Sequence, residues 1–205
     1  ALIKPVCEEG VPHERIIDLA EAENCELIVM GRRGISRVER ALVGSVTARV
    51  IGYGHKDVLV IPRGAEVAWR HILLATDGSK YSSSAIERAI DFAEGYGGTI
   101  TIVSVVDLPA EFYGDAPEVV DKLVDEAQGF AAKAKEQAEA RGIKATAVVM
   151  EGETAGALTK LATERKADVI VMGSHGRTGL RRLLMGSVTE KVIGQSNGPV
   201  LVVKN

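Results

Sequence analysis

The chain lacks most of the features that would sort it into a common class. It has two cysteines in 205 residues, Cys7 and Cys25, and they form no Cys-x-x-Cys pair. Buried or half-buried free thiols in a reducing cytoplasm are the expectation. No apolar run approaches the ~20 residues of a membrane span and no signal peptide is visible, so a soluble protein without membrane contact is expected. A net charge of −3 gives no general electrostatic reason to expect nucleic acid as a partner. There is no Gly-x4-Gly-Lys-Ser/Thr phosphate loop, no Gly-x-Gly-x-x-Gly dinucleotide turn, no His-Glu-x-x-His zinc helix and no Gly-x-Ser-x-Gly nucleophile elbow. The ordinary enzyme classes lose weight with them, and fast catalysis is not expected.

What the chain does have is a repeat. Residues 1–63 and 143–205 align without a gap, and each copy carries the spacing Gly-x2-Gly-x9-Gly-Ser: Gly31, Gly34, Gly44 and Ser45, then Gly173, Gly176, Gly186 and Ser187. The flanks agree as well, Ile28-Val29-Met30 against Ile170-Val171-Met172, at a constant offset of 142 positions. This is an internal duplication. Residues 71–142 have no counterpart before Ala1, and the chain does not begin with Met. The expected organisation is the C-terminal half of a first domain over 1–63, a linker over 64–69 and a complete domain over 70–205, in a cut or partly observed chain. A half domain without its first two strands would hardly fold alone, so either the missing part exists outside this chain or the half leans on a partner.

In the complete copy, short β-rich runs alternate with helical ones. Strands are expected over His71–Asp77, Thr99–Val106, Lys144–Met150, Asp168–Met172 and Val200–Val203. Helices are expected over Ser82–Ala93, capped by Ser82 or Ser83, over Pro117–Arg141, over Thr154–Lys166 and from about Gly186 to Gln195. Such alternation predicts an α/β fold with a doubly wound, five-stranded parallel sheet and a ligand crevice where the winding reverses, beyond the carboxyl ends of the strands. In the first copy the same reading gives a strand near Leu2–Val6, a helix from Pro12 to near Asn24, a strand Leu27–Met30, a helix from about Gly44 and a strand Val58–Ile61.

The glycine spacing suits a phosphate cradle. Gly173 ends a strand and Gly176 lies in the next loop, where a missing Cβ permits close backbone approach and positive φ. Gly186 and Ser187 start a helix whose free N–H groups and dipole favour an anion. Arg177 directly follows Gly176, and Arg181 and Arg182 are either phosphate neighbours or solvated surface. His175 is either a surface residue or a ligand neighbour. Asp77 ends the first strand; it either caps the Gly78-Ser79 turn or accepts from a ribose hydroxyl or holds a divalent cation. Val105 is either core or a strand end offering backbone groups to a purine.

Ala75-Thr76-Asp77, Ser104-Val105-Val106-Asp107, Val169-Ile-Val-Met-Gly-Ser-His-Gly176, Gly186-Ser-Val-Thr-Glu-Lys-Val-Ile193 and Pro199-Val-Leu-Val-Val203 together resemble the universal stress proteins. The resemblance implies the adenine-nucleotide alpha-hydrolase-like fold in tandem, and a stress-response regulator of the branch that binds ATP, ADP or AMP. It places Asp77 at the ribose or metal, Ala75 and Thr76 among the nucleotide-binding residues, Val105 at adenine through its backbone, Met172 beside the base or ribose, and Gly173 toward the ribose. Gly176, Arg177, Gly186, Ser187 and Val188 would hold phosphates, with a divalent cation accompanying them. In the first copy Met30, Gly31, Gly34, Gly44, Ser45 and Val46 would form half a site, with Arg32 and Arg33 adding charge near the ligand. The last strand implies pseudo-two-fold packing of the repeats and a homodimer. The alternatives are a slow ATPase or autophosphorylating phosphotransferase using Asp77, Arg177 and Ser187, and a scaffold whose glycines serve only turns.

Overall fold

A computed structural model describes residues 3–33, 43–176 and 185–204. Seven strands form one sheet in the order β1-β2-β7-β6-β3-β4-β5. They are β1 Leu27–Gly31, β2 Asp57–Ile61, β3 His71–Ala75, β4 Thr99–Val106, β5 Ala145–Glu151, β6 Val169–Gly173 and β7 Val200–Val203. The helices are α1 Pro12–Ala22, α2 Ser45–Tyr53, α3 Lys80–Tyr96, the short α4 Glu111–Asp115, α5 Pro117–Ala140, α6 Thr154–Glu164 and α7 Ser187–Gln195. All neighbouring strands are parallel except β2 and β7. The expected five-stranded sheet is thus extended by two strands of the first copy, with no break between them.

The antiparallel seam pairs Val58 with Val202, Leu59 with Leu201 and Val60 with Val200. Leu59 and Leu201 occupy the same position in the two copies, so the repeats meet about a pseudo-two-fold axis through that pair. Polar contacts across the seam fall where the copies differ. The buried Asp57, whose counterpart is Pro199, accepts from Arg88 Nε on α3 at 2.6 Å and from the Lys204 backbone N–H at 2.9 Å. Lys204, whose counterpart is Pro62, also reaches the carbonyl of Ile51 at 2.5 Å. Burial lowers the pKa of its ammonium, against the opposing pull of Asp57.

Apolar residues line both sheet faces, as a parallel sheet covered on each side requires. One face packs α3 and α5 through stripes of small residues, Ala85, Ala89 and Ala93 on α3 with Ala131, Ala134 and Ala138 on α5. The other carries α1, α2, α6 and α7, with Val50, Ile51, Leu158, Val192 and Ile193 among the buried residues. Gly97 closes α3 in the left-handed conformation (φ 65°), as a helix C-terminus favours. The run between the copies ends on Trp69, which stacks on Phe92 at 3.9 Å between ring centroids.

Three expectations need correction. Residues 3–6 form no strand. Their counterpart β5 is held by β4 alone, and the first copy contains no equivalent of β4 to supply that ladder. Helix α3 starts earlier than expected: Ser79 is its N-cap, accepting from the Ser82 N–H at 3.2 Å. Cys7 is exposed, since the run that carries it joins no sheet, while Cys25 is half-buried.

Candidate functional site

Within the second copy the winding reverses at β3. β4 and β5 lie on one side of it, β6 and β7 on the other, so a crevice opens beyond the ends of β3 and β6. A cavity of about 490 Å³ lies there.

Beyond the Ala75–Val103 pairing, β3 turns away while β4 continues to Val106. Val103 faces β3, accepting from the Thr76 N–H at 2.9 Å, and Val106 faces β5, accepting from Gly152 N–H at 3.0 Å. By the two-residue alternation of a strand, the backbone N–H and C=O of Val105 point to the side β3 has vacated. One carboxylate oxygen of Asp77 accepts from the Ser79 N–H at 3.0 Å, capping the turn. The other lies 3.0 Å from where a Cβ of Gly176 would stand, so Asp77 bridges the ends of β3 and β6.

The glycines serve close approach here, and the positive φ expected of them is not used: Gly173, Gly176 and Gly186 all lack it. A Cβ on Gly173 would come within 2.9 Å of the Tyr81 backbone, and one on Gly186 within 3.3 Å of the Ser174 carbonyl. The glycine that does need positive φ is Gly78 (φ 74°), over which the ring of Phe130 is packed. The end of β6 and the loop after it are tied to α7: Gly186 N–H donates to the Ser174 carbonyl at 2.9 Å, and Thr189 Oγ1 donates to the Gly173 carbonyl at 3.1 Å and lies 3.4 Å from that of Ser174.

Three helices begin at the cavity and contribute Ser82, Thr154 and Ser187 to its wall. The start of α3 is capped by Ser79. That of α6 is capped by Glu153, whose Oε2 accepts from Gly156 N–H at 2.7 Å, and Asp107 Oδ2 accepts from both the N–H and hydroxyl of Thr154 at 3.0 Å. The Gly156 hydrogen bond, then Lys191, lowers the pKa of the Glu153 carboxyl. Helix α7 has no side-chain cap; Gly186 stands in that place.

The cavity brings together Ala75, Thr76, Asp77, Val105, Met172, Gly173, Gly176, Gly186, Ser187 and Val188. Arg177 and Gly34 lie outside the described residues, as do Arg181 and Arg182. In the first copy, Met30, Gly31, Gly44, Ser45 and Val46 line no part of this cavity. Arg32 does not face a ligand position beside them. Its Nη1 donates to the carbonyls of Ser196, Gly194 and Ile193, and its pKa is lowered by burial first and by Arg33 second. His175 is on the cavity wall, with its ring 5.4 Å from that of Tyr81.

Sequence reading did not find Leu123, Ala127 and Phe130, which α5 leans over the strand ends. Their spacing of four and three marks a helix face, without saying that this face passes the crevice. Among the described residues no three His, Cys, Asp or Glu side chains cluster as a metal site would require. One oxygen of Asp77 and one of Asp107 are already committed to protein donors. These residues do not build a cation cage, and no role is assigned to one.

Comparison with known proteins returns a family and relatives. The sequence profile of the universal stress protein family matches residues 3–62 and again 68–204. Universal stress protein MJ0531 of Methanocaldococcus jannaschii is 39% identical over 150 residues, covering 70% of this chain and 87% of that protein. The crystal structure of a universal stress protein from Archaeoglobus fulgidus covers all of this chain and 68% of its own, at 28% identity and a TM-score of 0.72. A universal stress protein in complex with cAMP covers 65% of this chain at 28% identity and a TM-score of 0.51. No helix among the described residues is long and apolar enough to cross a membrane.

Proposed function

The chain belongs to the universal stress protein family, and from that membership we propose that its cavity binds an adenine nucleotide, ATP, ADP or AMP, as a regulatory ligand in a stress response. The observation that carries this reading is the start of α7. Of the three helices that begin at the cavity it alone has no side-chain cap among the described residues, so its first N–H groups and the positive end of its dipole suit an anion. A chain of phosphates would lie along Gly176, Gly186, Ser187 and Val188. Asp77, held between two strand ends, would accept from a ribose hydroxyl. The outward backbone N–H and C=O of Val105 would meet the donor and acceptor of an adenine edge, with Met172 and Gly173 beside the sugar.

On this reading residues 70–205 are a whole nucleotide-binding domain, 64–69 a linker, and 1–63 the C-terminal half of a first domain. Binding to the folded state alone would stabilise the chain by about 2.7 kcal/mol at a ligand concentration one hundred times the dissociation constant. A thermal-shift titration with ATP, ADP and AMP, with and without magnesium, tests it. A rise in Tm that saturates with ligand is expected; no shift at millimolar nucleotide would remove the proposal.

A further inference from the structure

No residue lining the cavity precedes Ala75, yet the first copy is wired to the helix that opens onto it. Arg32, just after β1, places Nη1 at 2.8 Å from the carbonyl of Ser196, 3.1 Å from that of Gly194 and 3.3 Å from that of Ile193. These belong to the last turn and C-cap of α7, where carbonyls have no partner within the helix. The other end of the helix is the uncapped start at Ser187. Nine residues separate the two, roughly 13 Å of rigid rod at 1.5 Å per residue.

The arrangement is reciprocal across the pseudo-axis but not equivalent. The matching carbonyl of α2, Ile51, is reached by Lys204 from the second copy. Ser174 stands where Arg32 would be repeated, and Pro62 where Lys204 would be. A guanidinium can serve several carbonyls at once from a fixed plane, whereas an ammonium acts as a point charge. The firmer grip therefore falls on α7, the helix at the cavity.

We propose that Arg32 is a positioning residue for the phosphate end of the cavity. By holding the last turn of α7 and setting a permanent positive charge at its negative pole, it fixes where the amides of Ser187 and Val188 stand relative to Gly173 and Ser174. The first copy thereby acts on a site to which it contributes no wall. The inference rests on the nucleotide reading, and its effect grows with the number of phosphates the helix start must hold.

The test uses the full chain with Arg32→Ala and Arg32→Lys. Affinities for ATP, AMP and adenosine are measured by calorimetry, and amide hydrogen exchange at Glu190–Ile193, whose N–H groups bond back to the start of α7, is measured without ligand. Arg32→Ala should weaken ATP about three- to fivefold, the scale of helix-end charge effects, AMP less, and adenosine not at all. Arg32→Lys should fall between, and exchange at Glu190–Ile193 should quicken. Equal losses for ATP and adenosine, or an unchanged ATP affinity, would overturn the proposal. If the wild type binds no nucleotide the reading of the cavity fails by itself. Exchange then decides separately, since unchanged protection at Glu190–Ile193 in Arg32→Ala sinks the positioning role. Should the alanine variant not fold, the lysine variant answers the same questions.

Discussion

The two glycine cradles of this chain share their local wiring and differ in their surroundings. Thr47 Oγ1 donates to the Gly31 carbonyl at 3.0 Å as Thr189 Oγ1 does to that of Gly173 at 3.1 Å. Gly44 and Gly186 have near-identical dihedrals, φ −62° and ψ 143° against φ −63° and ψ 143°. Yet a Cβ on Gly31 would find its nearest neighbour 3.6 Å away, where one on Gly173 would press into the backbone of α3 at 2.9 Å. Val29 is 57% exposed on β1, while its counterpart Val171 is fully buried on β6. A strand, a glycine turn and a helix start can thus be copied as a cassette, and the cassette becomes a walled cavity only when the neighbouring strands and α3 close around it.

The largest effect is expected where the copies meet. Arg88→Ala removes the bonded cation from the buried Asp57, leaving the Lys204 N–H and the more distant pull of its ammonium to offset the charge, and should cost about 3 kcal/mol in urea unfolding. A cost below measurement would mean that the seam does not depend on its copy-specific residues. Next comes ligand response. Gly186→Asp sets a carboxylate at the start of α7, a favourable cap but a rival to phosphate, and should abolish nucleotide stabilisation of about 2.7 kcal/mol at one hundred times the dissociation constant. Gly44→Asp should leave that stabilisation in place. Equal loss in both would show that the first cradle also binds.

Smaller again is the steric contrast. Gly173→Ala must move backbone and should destabilise by about 2 kcal/mol, while Gly31→Ala should stay within about 0.5 kcal/mol. Matching values would erase the difference between the cradles. The smallest effect concerns pH. Glu153 caps α6, whereas Val11 holds the same place before α1 with no side-chain cap. Because the folded pKa of Glu153 is lowered, the carboxyl binds fewer protons folded than unfolded. Its stabilisation is present above the ordinary value near roughly pH 4 and is lost as pH falls through the lowered one. The Tm of Glu153→Gln should lie below wild type at pH 7, and the gap should close as pH falls below the ordinary carboxyl range; parallel curves would count against the cap.

Much of this was legible in the sequence because it is local. The alternation of β-branched runs with Ala-rich helices predicts β4 and β7 with the bounds observed, and the glycine spacing leads to the wall of the cavity. What was hidden depends on partners distant in the chain. Leu2–Val6 has the composition of a strand, but a strand exists only where another supplies its ladder. Arg32 sits in a glycine motif and suggests charge for a ligand; its direction is decided by the C-terminal turn of α7, brought near by the seam. Phe130 reads as an ordinary apolar helix position until α5 is laid across the strand ends.

Trp69 is the chain's single tryptophan, stacked on Phe92 where the two copies join and absent from the cavity wall. Its fluorescence is therefore a reporter with a fixed address. A bound nucleotide would not touch the indole, so an emission change during titration would register strain carried to the junction, separating propagation from occupancy in one cuvette.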